Sequence, residues 1–130
     1  MRVPAALLSA CALILAGGCS DDDDKPVRSV SVGPGATVQM GADEYRFDPG
    51  RITVRAKGQT ARLRIVLSNK GSLAHNIHIR EDGRDLAETR SFPDGESRSV
   101  SARLPSGSYR YVCTVADHEE LGMVGDLEVR

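Results

Sequence analysis

The chain reads as an all-β protein, an antiparallel Greek-key β-sandwich or barrel of about seven to eight strands. Three observations predict this class. The run Ala61-Arg62-Leu63-Arg64-Ile65-Val66-Leu67 largely alternates apolar and charged side chains, which puts Leu63, Ile65 and Leu67 on one face of a half-buried strand. Turn-forming groups of Gly, Pro, Asn and Asp recur at the short intervals of a sandwich. No segment requires a long helix.

Taken in order, the predicted strands cover residues 27–32, 36–40, 51–55, 61–67, 75–80, 97–104, 108–113 and 124–129. Gly33-Pro34-Gly35 separates the first two, and Asp48-Pro49-Gly50 precedes the third. Asn69-Lys70-Gly71 closes the fourth and Asp82-Gly83 the fifth. Pro93-Asp94-Gly95 and Pro105-Ser106-Gly107 bracket the sixth and open the seventh. Residues 85–91 fit either a short helical turn or an irregular loop.

The N-terminal part does not belong to this pattern. Arg2 and the apolar stretch from Val3 to Ala16 resemble an export signal, too short to span a bilayer comfortably. Leu15-Ala16-Gly17-Gly18-Cys19 resembles the lipobox of bacterial lipoproteins, although the aliphatic Leu15 stands one step further from the cysteine than is usual. Residues 1–19 are therefore expected to be a signal peptide, with Cys19 acylated as a membrane anchor; the alternative is a plain secretory signal cleaved nearby. Residues 20–26 contain Asp21 to Asp24 and no apolar side chain before Pro26, as expected of a solvated tether. The Asp-Asp-Asp-Asp-Lys string also serves as an engineered protease tag, but Pro26 would obstruct cleavage after Lys25. Residues 27–130 then form one domain, long enough for a single core.

Charge names no partner. Setting aside Arg2, Lys25 and Asp21 to Asp24 leaves 15 basic and 14 acidic residues. The arginines are spread along the strands without clustering beside aromatics, which disfavours nucleic-acid binding. Cysteine is more telling. Cys11 lies in the signal and Cys19 at its end, so Cys113 is the one thiol of the domain and has no partner for an internal disulfide. A lone thiol in an oxidising compartment needs something to occupy it, and a metal would do so.

Cys113, His118 and Met123 fall in one run of eleven residues, Cys-Thr-Val-Ala-Asp-His-Glu-Glu-Leu-Gly-Met, with His75 upstream. A thiolate, two imidazoles and a thioether are the donors of a mononuclear type 1 copper site, where soft sulfur favours Cu(I) and imidazole serves both oxidation states. Each residue alone has an ordinary reading: a surface histidine, a core methionine, a small buried cysteine. The combination in one loop after a tyrosine-rich strand favours the metal. His78 is read as a non-ligand, because a residue three positions beyond His75 on a strand faces the other way.

The domain resembles the cupredoxin family of small blue copper proteins, of the plastocyanin and azurin type. The resemblance rests on Phe47-Asp48-Pro49 before Ile52-Thr53-Val54, on Asn69-Lys70-Gly71-Ser72-Leu73-Ala74-His75-Asn76, and on Tyr109-Arg110-Tyr111-Val112-Cys113 through His118 to Gly122-Met123-Val124-Gly125. It implies that His75, Cys113, His118 and Met123 hold one Cu(I)/Cu(II) ion, with Met123 the weak axial donor. It also implies that Asn76 ties the two ligand loops together by hydrogen bonds, which requires the strand at His75 to begin irregularly. Asp117 departs from the glycine or proline that many relatives carry before the second histidine. The family's electron route runs through an imidazole at the surface, here His118, within an apolar patch that Leu73, Ala74, Leu121 and Gly122 would supply.

Other copper chemistries fit poorly. A dinuclear centre needs a second loop cysteine, and multicopper enzymes need more histidines than His75, His78 and His118. A four-donor site also leaves no open position for a substrate. The expectation is a non-enzymatic, monomeric, membrane-tethered carrier outside the cytoplasm that passes single electrons between redox proteins by brief docking. Copper sequestration or delivery is the alternative.

Overall fold

The computed structural model describes residues 25–130; the expected signal peptide, Cys19 and most of the acidic tether lie outside the described residues. Ten strands are present among them: β1 (Ser29–Val32), β2 (Ala36–Asp43), β3 (Arg46–Asp48), β4 (Arg51–Val54), β5 (Thr60–Asn69), β6 (His78–Glu81), β7 (Arg84–Glu88), β8 (Ser97–Pro105), β9 (Gly107–Val112) and β10 (Val124–Val129). They form a six-stranded sheet in the order β1-β4-β10-β9-β6-β7 and a four-stranded sheet in the order β3-β2-β5-β8. The all-β sandwich holds, and no helix interrupts it among the described residues.

The sheets are mixed rather than wholly antiparallel. β1 pairs with β4, β4 with β10, and β2 with β5, each in parallel. Between β1 and β4 the chain makes the β2–β3 hairpin in the opposite sheet, so it returns to its neighbour running the same way. Alternation along a strand reports which face is buried but carries no information on the direction of the neighbour.

The core lies between the sheets and follows from the alternation. β5 buries Ala61, Leu63, Ile65 and Leu67 on one face, and β2 adds Val38, Met40 and Ala42 beside them. Ile52, Val54, Ile79, Leu127 and Val129 face them from the six-stranded sheet. Each of the larger of these side chains, the alanines excepted, contributes about 1.5–3 kcal/mol of burial free energy. Tyr111 crosses the interior: its ring meets Phe47 edge-on with centroids 5.5 Å apart, and its hydroxyl donates to the Pro49 carbonyl at 2.9 Å. Burial pushes its phenol well above the ordinary tyrosine range. Gly125, on the neighbouring strand, has no room for a Cβ because the Tyr111 ring occupies that space.

Two short strands are additional to the expected set. β3 follows β2 through the two-residue turn Glu44-Tyr45, with Asp43 paired to Arg46. β7 occupies residues 84–88, where a helical turn or a loop was expected; it pairs antiparallel with β6 across Asp82 and Gly83, both in the left-handed region at φ 48° and 77°. Two adjacent positive φ values make the turn whose twist suits a hairpin.

Candidate metal centre

The end of the sandwich where β9 stops and β10 starts carries Cys113 immediately after β9 and Met123 immediately before β10. The intervening loop is folded on itself by backbone hydrogen bonds. Cys113 N–H donates to Met123 O at 3.1 Å, Met123 N–H to His118 O at 2.9 Å, His118 N–H to Val115 O at 3.0 Å and Leu121 N–H to Asp117 O at 3.0 Å. Ala116 and Gly122 take positive φ, 44° and 101°, at the two tight points of this path. The loop is thus a compact, internally bonded unit that fixes where His118 sits relative to Cys113.

His75 approaches from the other side. It lies ahead of β6 and exchanges both backbone hydrogen bonds with Phe92, N–H to O at 3.2 Å and O from N–H at 3.0 Å. His75, Asn76 and Ile77 are all buried in succession, so this stretch does not alternate as a strand does. Asn69 holds the turn before it: its Nδ2 donates to Leu73 O at 2.8 Å and Phe92 O at 3.2 Å, while its Oδ1 accepts from Gly71 N–H at 3.1 Å. Asn76 spans the two loops. Its Oδ1 accepts from Thr114 N–H and its Nδ2 donates to Thr114 Oγ1, both at 2.8 Å.

These supports bring His75, Cys113 and His118 together. One donor atom from each lies within 4.8 Å of the others, and all three side chains are buried. Cys113 Sγ stands 3.5 Å from His118 Nδ1 and 3.9 Å from His75 Nδ1. Soft-metal bonds of about 2.0–2.3 Å to nitrogen and sulfur, opened at about 120°, separate such donors by about 3.8 Å. The three atoms therefore fit around one ion. Met123 is fully buried at the base of the loop. Burial lowers the pKa of His75, and the neighbouring His118 lowers it further; Glu44 and Asp43 oppose this weakly. A neutral imidazole is the form that ligates.

His78 stands apart. Its Nδ1 faces Asp85 Oδ2 at 2.9 Å and Glu88 Oε2 at 3.4 Å, and its Nε2 faces Thr114 Oγ1 at 3.2 Å. Strand alternation does not separate it from His75, since the strand begins only at His78; what separates it is the pull of β7. Arg80, on the same strand, donates to Asp85 at 2.5 Å and to Glu119 at 2.9 Å, tying the ligand loop to β6. The Arg80 guanidinium holds the Asp85 carboxyl below the usual carboxylate range.

Leu73, Ala74, Leu121 and Gly122 are all exposed on the two loops that carry the donors, Leu73 at 41% and Leu121 at 50%. His118 is only 4% exposed. The Tyr45 ring lies edge-on against it, with centroids 5.2 Å apart and planes at 78°. Glu44, its neighbour in the β2–β3 turn, accepts from Ser72 N–H at 2.6 Å and Leu73 N–H at 3.0 Å. Those two backbone bonds are the main cause of its lowered pKa. Neither Glu44, Tyr45 nor Thr114 carries a local sequence signal for these contacts.

The model of the copper-binding proteins of the plastocyanin/azurin family matches residues 34–130. The chain belongs to that family. It is a cupredoxin, and its cofactor is one copper ion. It is 32% identical over 106 residues to the copper-resistant cuproprotein CopI of Rubrivivax gelatinosus, a match covering 68% of this chain and 62% of that protein. The chain thus spans less than two thirds of the length of this relative. Among solved structures the cupredoxin is similar to auracyanin B, at 26% identity and a TM-score of 0.65 over 75% of this chain and 90% of that one. The auracyanin of Roseiflexus castenholzii, 21% identical, shares the fold with a TM-score of 0.59 over 75% and 98% of the two chains.

Proposed function

We propose that this cupredoxin is a one-electron carrier working outside the cytoplasm, with a type 1 copper site formed by His75, Cys113, His118 and, more weakly, Met123. The observation that carries the reading is the buried triangle of Sγ and two Nδ1 atoms, supported by backbone hydrogen bonds and the Asn76–Thr114 bridge. Bound copper supplies the one-electron chemistry. The chain supplies a donor set held in one geometry, which limits the rearrangement accompanying each change of oxidation state. Burial of all four side chains excludes water and leaves no open position for a substrate, which favours a carrier over an enzyme.

The N-terminal export signal with Cys19 as lipid anchor would tether the monomeric domain to a membrane. Redox partners would dock briefly on Leu73, Ala74, Leu121 and Gly122, whose exposure supports such a surface. Adding one equivalent of Cu(II) to the purified protein tests the reading. An intense blue thiolate-to-copper band with narrow hyperfine splitting is expected, and Cys113→Ser should abolish it. A pale spectrum would reject the type 1 site.

Sequestration or delivery of copper is the second reading, favoured by the similarity to a copper-resistant cuproprotein. Against it stands the methionine pattern: Met40 and Met123 are both buried, so no exposed thioether among the described residues offers a transfer path. A carrier retains its metal through repeated oxidation and reduction, whereas a delivery protein surrenders Cu(I) to a competing chelator.

A further inference from the structure

The β2–β3 turn puts a carboxylate behind one candidate ligand. His75 Nε2 is the one buried side-chain nitrogen or oxygen without a hydrogen-bond partner among the described residues. The carboxylate oxygen of Glu44 that takes the Ser72 and Leu73 N–H groups stands 3.9 Å from it. This gap is beyond a hydrogen bond but short for a charge acting across a buried edge. The opposite ring nitrogen, Nδ1, is the one that faces Cys113 Sγ. The turn is itself unusual: Tyr45 holds φ 60°, a region that bulky residues rarely occupy, and backbone of that kind persists where the surroundings impose it. In that conformation Glu44 reaches the His75 loop while the Tyr45 ring rests against His118. The hairpin tip therefore addresses both imidazoles.

We propose that Glu44 is the positioning residue of His75: it fixes the imidazole with its proton on Nε2 and Nδ1 free toward Cys113, and its negative charge favours the oxidised over the reduced metal. Imidazole ligands ordinarily give their second N–H to a carboxylate or carbonyl, which sets tautomer and basicity. Here no carbonyl or side-chain acceptor reaches Nε2, and Glu44 fills that role electrostatically while its short bonds to Ser72 and Leu73 hold it in place. The inference rests on the type 1 copper reading above.

Glu44→Gln keeps an oxygen for the Ser72 and Leu73 N–H groups and removes only the charge. The copper-loaded variant should remain blue and lose preference for Cu(II) over Cu(I) by on the order of tenfold, an upward shift in potential of about 59 mV for a one-electron couple. Glu44→Asp, which restores the charge, should return most of the shift. Nitrogen NMR of the metal-free wild-type protein should show His75 protonated at Nε2. A blue Gln variant with the wild-type potential would overturn the proposal, as would a His75 protonated at Nδ1 instead. If the Gln variant does not fold, a wild-type His75 protonated at Nδ1 would still overturn the proposal. Failure of the wild-type protein to turn blue would strike the copper reading, and the metal-free His75 tautomer, compared between the wild-type protein and Glu44→Gln, would still decide the role of Glu44.

Discussion

The middle of the four-stranded sheet and the copper end are built by different means. Along β5 the alternation of buried and exposed residues is regular, and the partners on β2 and β8 are matched residue for residue, from Thr60 opposite Pro105 to Ser68 opposite Ser97. At the copper end, His75, Asn76 and Ile77 are buried in succession, the chain turns through left-handed residues, and side-chain amides replace the ladder. The first region is held by apolar area, the second by named polar bonds. Loss of a core side chain should therefore damage the fold, whereas loss of an amide should damage the site about as much as the fold.

The largest stability effect should come from the sheet. Ile65 is fully buried opposite Val100 and beside Val38, so Ile65→Ala should cost about 2–5 kcal/mol in denaturant unfolding. If copper still binds with an unchanged blue spectrum in the folded fraction, the two regions are separable. A changed spectrum would mean that the donor triangle depends on core packing as well as on its own bonds.

That contrast also accounts for what could be read from the chain. β5 was legible because one face is wet and the other dry, which writes a period of two into the residues. β7 was not, because an edge strand with only Ala87 half-buried has no dry face to display; its available signal was the Asp82-Gly83 pair, whose tolerance of left-handed φ implies a hairpin. β3, three residues long, is too short for a pattern. The parallel pairings were invisible because strand direction depends on the path through the other sheet. At the site, Cys113 and His118, which the fold brings together with His75, stood out by their spacing in one loop, and His75 by its resemblance to a ligand segment. Glu44, Tyr45 and Thr114 reach the centre only through tertiary approach, and nothing local marks them. His78 was set aside by an alternation that the chain does not follow there; the carboxylates of β7 are what draw it away.

A smaller effect is expected from the bridge between the loops. Asn76→Ala removes both bonds to Thr114 and leaves the Thr114 N–H without its acceptor, at a cost of about 1–3 kcal/mol. Because Thr114 follows Cys113, the change should also broaden or shift the thiolate-to-copper band, which a purely apolar deletion of similar cost would not do. Equal stability loss with an untouched spectrum would mean that the compact loop alone fixes Cys113, and that the polar bridge contributes only to folding.

The smallest stability effect belongs to the exposed rim, where neither apolar burial nor a polar bond is at stake. Leu121 is 50% exposed, and its backbone N–H is already committed to Asp117 O within the loop. Leu121→Asp should therefore change stability by no more than about 0.5 kcal/mol and leave the copper spectrum as it was. Its effect should appear instead in exchange with a redox partner, since docking on an apolar patch requires desolvation that a carboxylate resists. The Tyr45 ring over His118 makes this measurement informative about the route as well. A slowed exchange rate would favour electrons passing at the Leu73 and Leu121 rim. An unchanged rate would remove the rim from the pathway.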